Sequence, residues 1–199
     1  MAARVEAPRV APEIPEGAPV YAPSPTCEDF IHACAAGPLG EFRVLVLMGP
    51  RGEGKTSAAL FALVALGQRL QMEGLGARLP LRVAVIRDTF ENLTRTTIPT
   101  IQKQVAKGLP VEFFDGNKQC RLGLWAHLYF FGMDNRKDVD KLQGFECAVL
   151  WPEEVAPGAE LDVGIPAEGF GMGATSVRQE GVPHRILMTL NPCDEDNWV

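Results

Sequence analysis

Four stretches of the chain are almost continuously apolar: Val44 to Met48, Val83 to Ile86, Cys147 to Trp151 and Ile186 to Leu190. Strands that lack polar alternation are covered on both faces, which predicts a parallel sheet. Between these runs the period changes. Lys55 to Glu73 is apolar on most sides and stops at Gly74, the pattern of a long buried helix. Phe90, Leu93, Ile98, Ile101 and Val105 recur at near-helical spacing and predict a second helix over Phe90 to Lys107. Asp88 and Glu91 suit its start, and Pro99 is expected to kink it. A short helix is expected over Thr26 to Ala36, capped by Thr26 and stopped by Gly37-Pro38. Val111 to Phe114 followed by Asp115-Gly116-Asn117 reads as strand and turn, and His127 to Phe131 as a further strand. Strand–helix alternation of this kind gives a doubly wound α/β domain, a mainly parallel central sheet with helices on both faces. Ahead of it, six prolines among alanines mark residues 1–25 as an expected flexible tail, leaving 26–199 as the domain.

The first apolar run leads into GPRGEGKT, Gly49 to Thr56. This fits the P-loop pattern, a glycine-rich turn between a strand and a helix. Gly49, Pro50, Arg51, Gly52, Glu53 and Gly54 would wrap the phosphates of a nucleotide such as ATP. Gly52 and Gly54 permit the backbone angles and close approach that a Cβ would block. Backbone N–H groups and the helix N-terminus then face the anion. Lys55 reaches the outer phosphates, and the Thr56 hydroxyl suits a Mg²⁺ ion. The α/β domain is therefore read as a P-loop NTPase.

Such a site needs acids at the end of a neighbouring strand. The third apolar run supplies them: Cys147 to Trp151, then Pro152, Glu153 and Glu154. Glu153 is assigned to the metal shell, and Glu154 to orienting and deprotonating the attacking water. Pro152 lacks an N–H and is expected just past the last ladder bond. The fourth run ends Thr189-Leu190-Asn191-Pro192, where Thr189 and Asn191 either sense the γ-phosphate or simply form a turn.

Bulk properties narrow the partners. The net charge is −6, so the basic footprint of a dedicated nucleic-acid binder is missing, and DNA contact would come from a local patch or be weak and renewed at each motor step. The longest apolar stretch, Ala58 to Leu66, is far short of the ~20 residues of a membrane span. Cys27, Cys34, Cys120, Cys147 and Cys193 are scattered, form no C-x-x-C pair, and fit reduced thiols in a cytoplasm.

Taken in order, GPRGEGKT, VIRDTFENL, FFGMDNRKDVDKLQGFE, VLWPEE and TLNPCDEDNWV resemble the ATPase domain of tailed-bacteriophage terminase large subunits, the motors of viral DNA packaging. The resemblance spans roughly Arg43 to Val199. It implies Gly54, Lys55 and Thr56 for phosphate and Mg²⁺, Glu153 for metal, and Glu154 with Lys55 for catalysis. Thr189 and Asn191 are implied to couple hydrolysis to movement. It implies an arginine supplied by a neighbouring subunit, for which Arg136 and Arg178 are both candidates. Arg51 either approaches the γ-phosphate or ties down the loop, and Arg87 is equally a strand-end salt-bridge partner. The implied partners are double-stranded DNA, the portal protein, the small terminase subunit and further copies in a ring, with no membrane. The implied location is the host cytoplasm, at the procapsid during packaging.

The chain departs from the family at Pro152 and at Asn197, where a histidine is frequent. Family members also continue past this point into a nuclease domain, so 26–199 is expected to be an incomplete ATPase domain without nuclease activity. Asp194-Glu195-Asp196 reads as an exposed acidic turn. Two other readings share the P-loop: a helicase-like ATPase, and a nucleotide-gated docking module without turnover.

Overall fold

The computed structural model describes residues 21–38, 41–105, 107–134, 136–155 and 164–192. Residues 1–20 of the expected tail and the 194–196 acidic turn lie outside the described residues. Seven strands form one sheet, in the order β1 (Phe42–Met48), β7 (His184–Leu190), β6 (Val149–Pro152), β2 (Leu81–Arg87), β5 (Ala126–Gly132), β4 (Gln119–Leu122), β3 (Val111–Phe114). The first five are mutually parallel, and β4 and β3 add antiparallel. The helices are α1 (Pro25–Ala35), α2 (Lys55–Met72), α3 (Phe90–Asn92), α4 (Ile98–Val105), α5 (Arg136–Gln143) and α6 (Ala167–Thr175).

Alternate residues of each strand feed two cores, because successive side chains leave a strand on opposite faces. Val83, Val85, Trp151 and Leu187 join α1, α2 and α4 in the larger one. Ala84, Ile86, Leu150, Ile186 and Leu190 join Leu142 of α5 and the region of α6 in the other. The helices thus cover both faces, as the apolar runs predict. Among the four apolar runs the exception is β1. Its Val44, Val46 and Met48 are about half exposed, at 52%, 51% and 49%, so among the described residues that apolar run is covered on one face only.

Several local expectations are corrected. Residues 21–25 belong to the folded body: the Tyr21 ring stacks on Phe61 at 4.7 Å. Ser24, not Thr26, caps α1, accepting from the Cys27 N–H, and Pro25 takes the first helical turn, where its missing N–H costs nothing. Gln119–Leu122 is a strand that its mixed composition did not announce. Ahead of Pro99 the helix widens into a π turn over Leu93–Thr97. Proline cannot donate to the carbonyl four residues back and crowds it. Thr94, Thr96 and Thr100 bond back to carbonyls through their hydroxyls and loosen the helix further.

Pro152 lies inside the sheet rather than past it, opposite Ile86 of β2. Its missing N–H falls on the β7 side. There the ladder stops at Leu150↔Ile186 and resumes as a bridge at Glu153↔Thr189, with the same offset. The C-terminus of α1 is tied down by a fully buried cation: the Arg185 guanidinium donates to the carbonyls of Cys34, Ala36, Glu41 and His184. The Cys34 and Ala36 carbonyls are orphan acceptors of the kind that helix ends leave.

Candidate functional site

The carboxyl ends of β1, β7, β6 and β2 converge beside the loop that joins β1 to α2. Gly52 and Gly54 sit at φ 88° and 80°, the left-handed region where a Cβ is strained. Gly54 is the N-cap of α2 and brings no side-chain cap, and the first turn carries no acid. The helix N-terminus is therefore left without an internal anion, with its N–H groups facing the loop. Pro50, Arg51, Gly52 and Glu53 are exposed and Gly49 is buried.

Lys55 is folded under this loop. Its ammonium donates to the Gly49 carbonyl at 2.6 Å, the Pro50 carbonyl at 2.7 Å and Asn191 Oδ1 at 3.1 Å. The next residue reaches the acids: Thr56 Oγ1 donates to Glu153 Oε1 at 2.5 Å. Glu153 Oε2 accepts from Trp151 Nε1 at 3.0 Å and from the Thr189 hydroxyl. Glu153 is 3% exposed. Burial pushes its carboxyl above the usual range, against hydrogen bonds from Thr189 and Thr56 and the charge of Arg87, which pull it down. Two hydrogen-bonded groups, Lys55 with Gly49, Pro50 and Asn191 and Glu153 with Thr56, Thr189 and Trp151, lie side by side through the covalent Lys55–Thr56 link and form a network drawn from three separate segments of the sequence.

Glu154 stands apart from that network. Its backbone is left-handed at φ 49°, a conformation that costs a non-glycine residue of order 1–3 kcal/mol. The turn re-aims its side chain, which is a third exposed and pairs with the Arg87 guanidinium. Arg87 is 6% exposed and also donates to Thr96 and Thr97 in the π turn. Asp88 completes the cluster, 3.4 Å from Arg87 Nε. This holding of Glu154 is the feature that the sequence left open. The Trp151 link was legible as a period of two along β6, which puts the indole and the Glu153 carboxylate on one side.

The two candidate trans arginines sit differently. Arg178 is exposed, pairs with Glu146 at 3.2 Å and bonds to the start of β6, the opposite end of the strand from Glu153. Arg136 opens α5, which follows the carboxyl end of β5; its side chain lies outside the described residues. No group of three or more His, Cys, Asp or Glu side chains that could hold a metal ion occurs among the described residues. Among them no helix is long and apolar enough to cross a membrane.

The fold is similar to that of the large terminase from the thermophilic bacteriophage D6E. One crystal form matches with a TM-score of 0.61 and 16% identity, over 86% of this chain and 40% of that one. The ADP complex matches with 0.57 and 17%, over 85% and 38%. The ATP-γ-S complex matches with 0.52 and 16%, also over 85% and 38%. The chain therefore spans about two fifths of the length of those chains. At such identities the likeness shows the fold: α/β, terminase-like, a mostly parallel sheet between helices. No protein-family model matches the chain, and no curated protein matches it in sequence.

Proposed function

We propose that this chain is the Mg²⁺-dependent ATPase domain of a terminase large subunit, a motor that drives double-stranded DNA into a procapsid. The observation that carries the reading is the 2.5 Å contact between Thr56 and Glu153, which joins the P-loop helix to the acidic strand. A hydroxyl and a carboxylate oxygen are hard donors, and Mg²⁺ is commonly held by one or two carboxylates, substrate phosphates and water. The pair fits that ion, which when bound offsets phosphate charge and orients the reacting group.

The chain's own residues do the rest. The loop N–H groups and the start of α2 bind phosphate oxygens. Lys55 exchanges the Gly49 and Pro50 carbonyls for the outer phosphates, while Asn191 keeps it registered to β7. Thr189 and Trp151 hold the Glu153 carboxylate in place. Glu154 accepts a proton from the attacking water once it leaves Arg87. Arg136 or Arg178 of a neighbouring copy completes the site in a ring, and Thr189 and Asn191 pass the change at the phosphates along β7. The portal protein, the small terminase subunit and a site of action in the host cytoplasm belong to the same reading. The fold likeness supports it, since the D6E protein was solved with ADP and with ATP-γ-S.

One observation favours a second reading, a nucleotide-gated docking module: Glu154 is paired with Arg87 and so is not free to act as a base. Phosphate release at high protein concentration, with and without double-stranded DNA, separates the two. The motor reading expects turnover that Lys55→Ala and Glu154→Gln each lower by at least roughly 100-fold, with ATP binding kept in Glu154→Gln. Wild-type rates no higher than those of Lys55→Ala would leave the docking module.

A further inference from the structure

The face of the sheet formed by β2, β5, β4 and β3 that looks away from α2 and α4 takes no part in the nucleotide site. Along β5, Ala126, Leu128 and Phe130 are buried in the larger core, while His127, Tyr129 and Phe131 stand partly exposed on the other side. Strand register fixes their neighbours. Arg82 and Arg121 flank His127 from either side, Gln119 lies beside Tyr129, and Phe114 lies beyond Gln119. The rings make one continuous run: Phe114 meets His127 edge-on at 5.1 Å, His127 stacks on Tyr129 at 4.2 Å, and Tyr129 meets Phe145 at 4.7 Å. Cations are interleaved with them. The Arg82 guanidinium lies 4.4 Å from the centre of Phe145, and that of Arg121 lies 6.0 Å from Phe114.

Hydrogen bonds hold the run in place. The Tyr129 hydroxyl donates to His127 Nδ1 at 3.0 Å, His127 Nε2–H donates to Gln119 Oε1 at 3.1 Å, and Gln119 Nε2 donates to Asp115 Oδ2 at 3.3 Å. This tautomer is assigned from the network and requires a neutral imidazole. Burial and the charges of Arg121 and Arg82 push the His127 pKa down, in the same direction. The acids facing the patch are Glu112, opposite Arg121, and Asp115. Beside the run, Phe90, Asp115, Lys118, Tyr129, Phe131 and Lys141 help to line a shallow recess of about 270 Å³, just under the usual range of small-ligand sites.

We infer that this face binds unpaired nucleic acid, with bases stacked on the Phe114–His127–Tyr129 run and phosphates against Arg82, Arg121 and Lys118. Partly exposed rings on a sheet offer π-faces that only an unstacked base can meet, whereas a duplex presents its phosphates but no base faces. A cation-rich face on a chain of net charge −6 is local complementarity to a polyanion. The inference is independent of ATP turnover.

The test is fluorescence anisotropy of a labelled oligothymidine strand, and of a duplex of equal length, with the full chain at low and at moderate salt. The strand is expected to bind at least ~10-fold more tightly than the duplex. Tyr129→Leu should weaken strand binding roughly 5- to 150-fold, the span for one stacked base, and Tyr129→Phe should keep it. Arg121→Glu should weaken binding and flatten the dependence of log affinity on log salt by about 1 or more. Circular dichroism checks that each variant is folded. Equal affinity for strand and duplex, or unchanged binding by folded Tyr129→Leu, overturns the inference. So does a failure of the wild type to bind either at low salt, which would leave a protein as the occupant.

Discussion

The β1–β7–β6–β2 half and the β5–β4–β3 half of this sheet solve different problems with similar side chains. In the β1–β7–β6–β2 half two charged side chains are sunk into the core among hydrogen-bond partners: Glu153 with Thr56, Thr189 and Trp151, and Arg185 with four carbonyls. In the β5–β4–β3 half the polar groups lie among partly exposed rings, and water reaches them. The same hydrogen bond therefore has a different worth in each. Where no water can replace a lost partner, the remaining group carries its whole desolvation penalty; where water can, the loss is small. The β1–β7–β6–β2 half should be intolerant of polar truncation and the β5–β4–β3 half tolerant.

The largest stability effect is expected at Arg185. Arg185→Ala strands carbonyls at the end of α1 and should cost about 3–5 kcal/mol, read as a lower urea midpoint with an unchanged slope. A loss below about 1 kcal/mol would mean that water reaches those carbonyls, and the contrast would weaken.

Next is Glu153→Gln, for which the sign is opposite. Because the folded pKa of Glu153 is raised, its contribution to stability is fully present below the unfolded carboxyl value of about 4.3 and is lost as pH rises through the folded value. Replacing it should raise Tm near neutral pH, by about 2–4 °C for each kcal/mol recovered, and the gain should vanish in acid. Turnover should be lost in the same variant, the trade expected of a buried functional charge. A Tm gain that persists below pH 4.3 would point to packing rather than charge.

A matched pair sharpens the comparison further. Trp151→Phe removes an indole N–H from the buried network and should cost about 1–3 kcal/mol beyond any change in packing. Tyr129→Phe removes a hydroxyl from the half-exposed one and should cost under about 1 kcal/mol. The smallest effect belongs to the exposed Arg178–Glu146 pair: Arg178→Ala should stay within about 0.5 kcal/mol. On the ring reading proposed above, its effect on turnover, set against that of Arg136→Ala, tests which of the two arginines acts on a neighbouring copy.

Much of this architecture was legible because apolar runs and the helical period report burial directly. The P-loop, the acids at the end of β6 and the polar end of β7 could be placed on their elements from the sequence. Local competition hid the rest. Ser24 and Thr26 are both good caps, and Pro25 chose between them by suiting the first turn. Gln119–Leu122 became a strand through pairing with both neighbours, not through its own composition. The π turn needed Pro99 and three back-bonding threonines acting together. In the site, residue types were legible but states were not. That Lys55 rests on carbonyls and Glu154 on Arg87 depends on distances no spacing encodes. The uncovered face of β1 was hidden for a simpler reason: an apolar run reports that a strand is suited to burial, not that anything covers it.

The central claim is that Thr56 and Glu153 together hold the ion that accompanies a nucleoside triphosphate. The direct measurement is ATP affinity with and without Mg²⁺, followed with a fluorescent nucleotide in the wild type and in Glu153→Gln. The account predicts that Mg²⁺ tightens wild-type binding by about 10-fold or more and that this gain is largely lost in Glu153→Gln. An equal Mg²⁺ effect in both proteins, or none in the wild type, would contradict it.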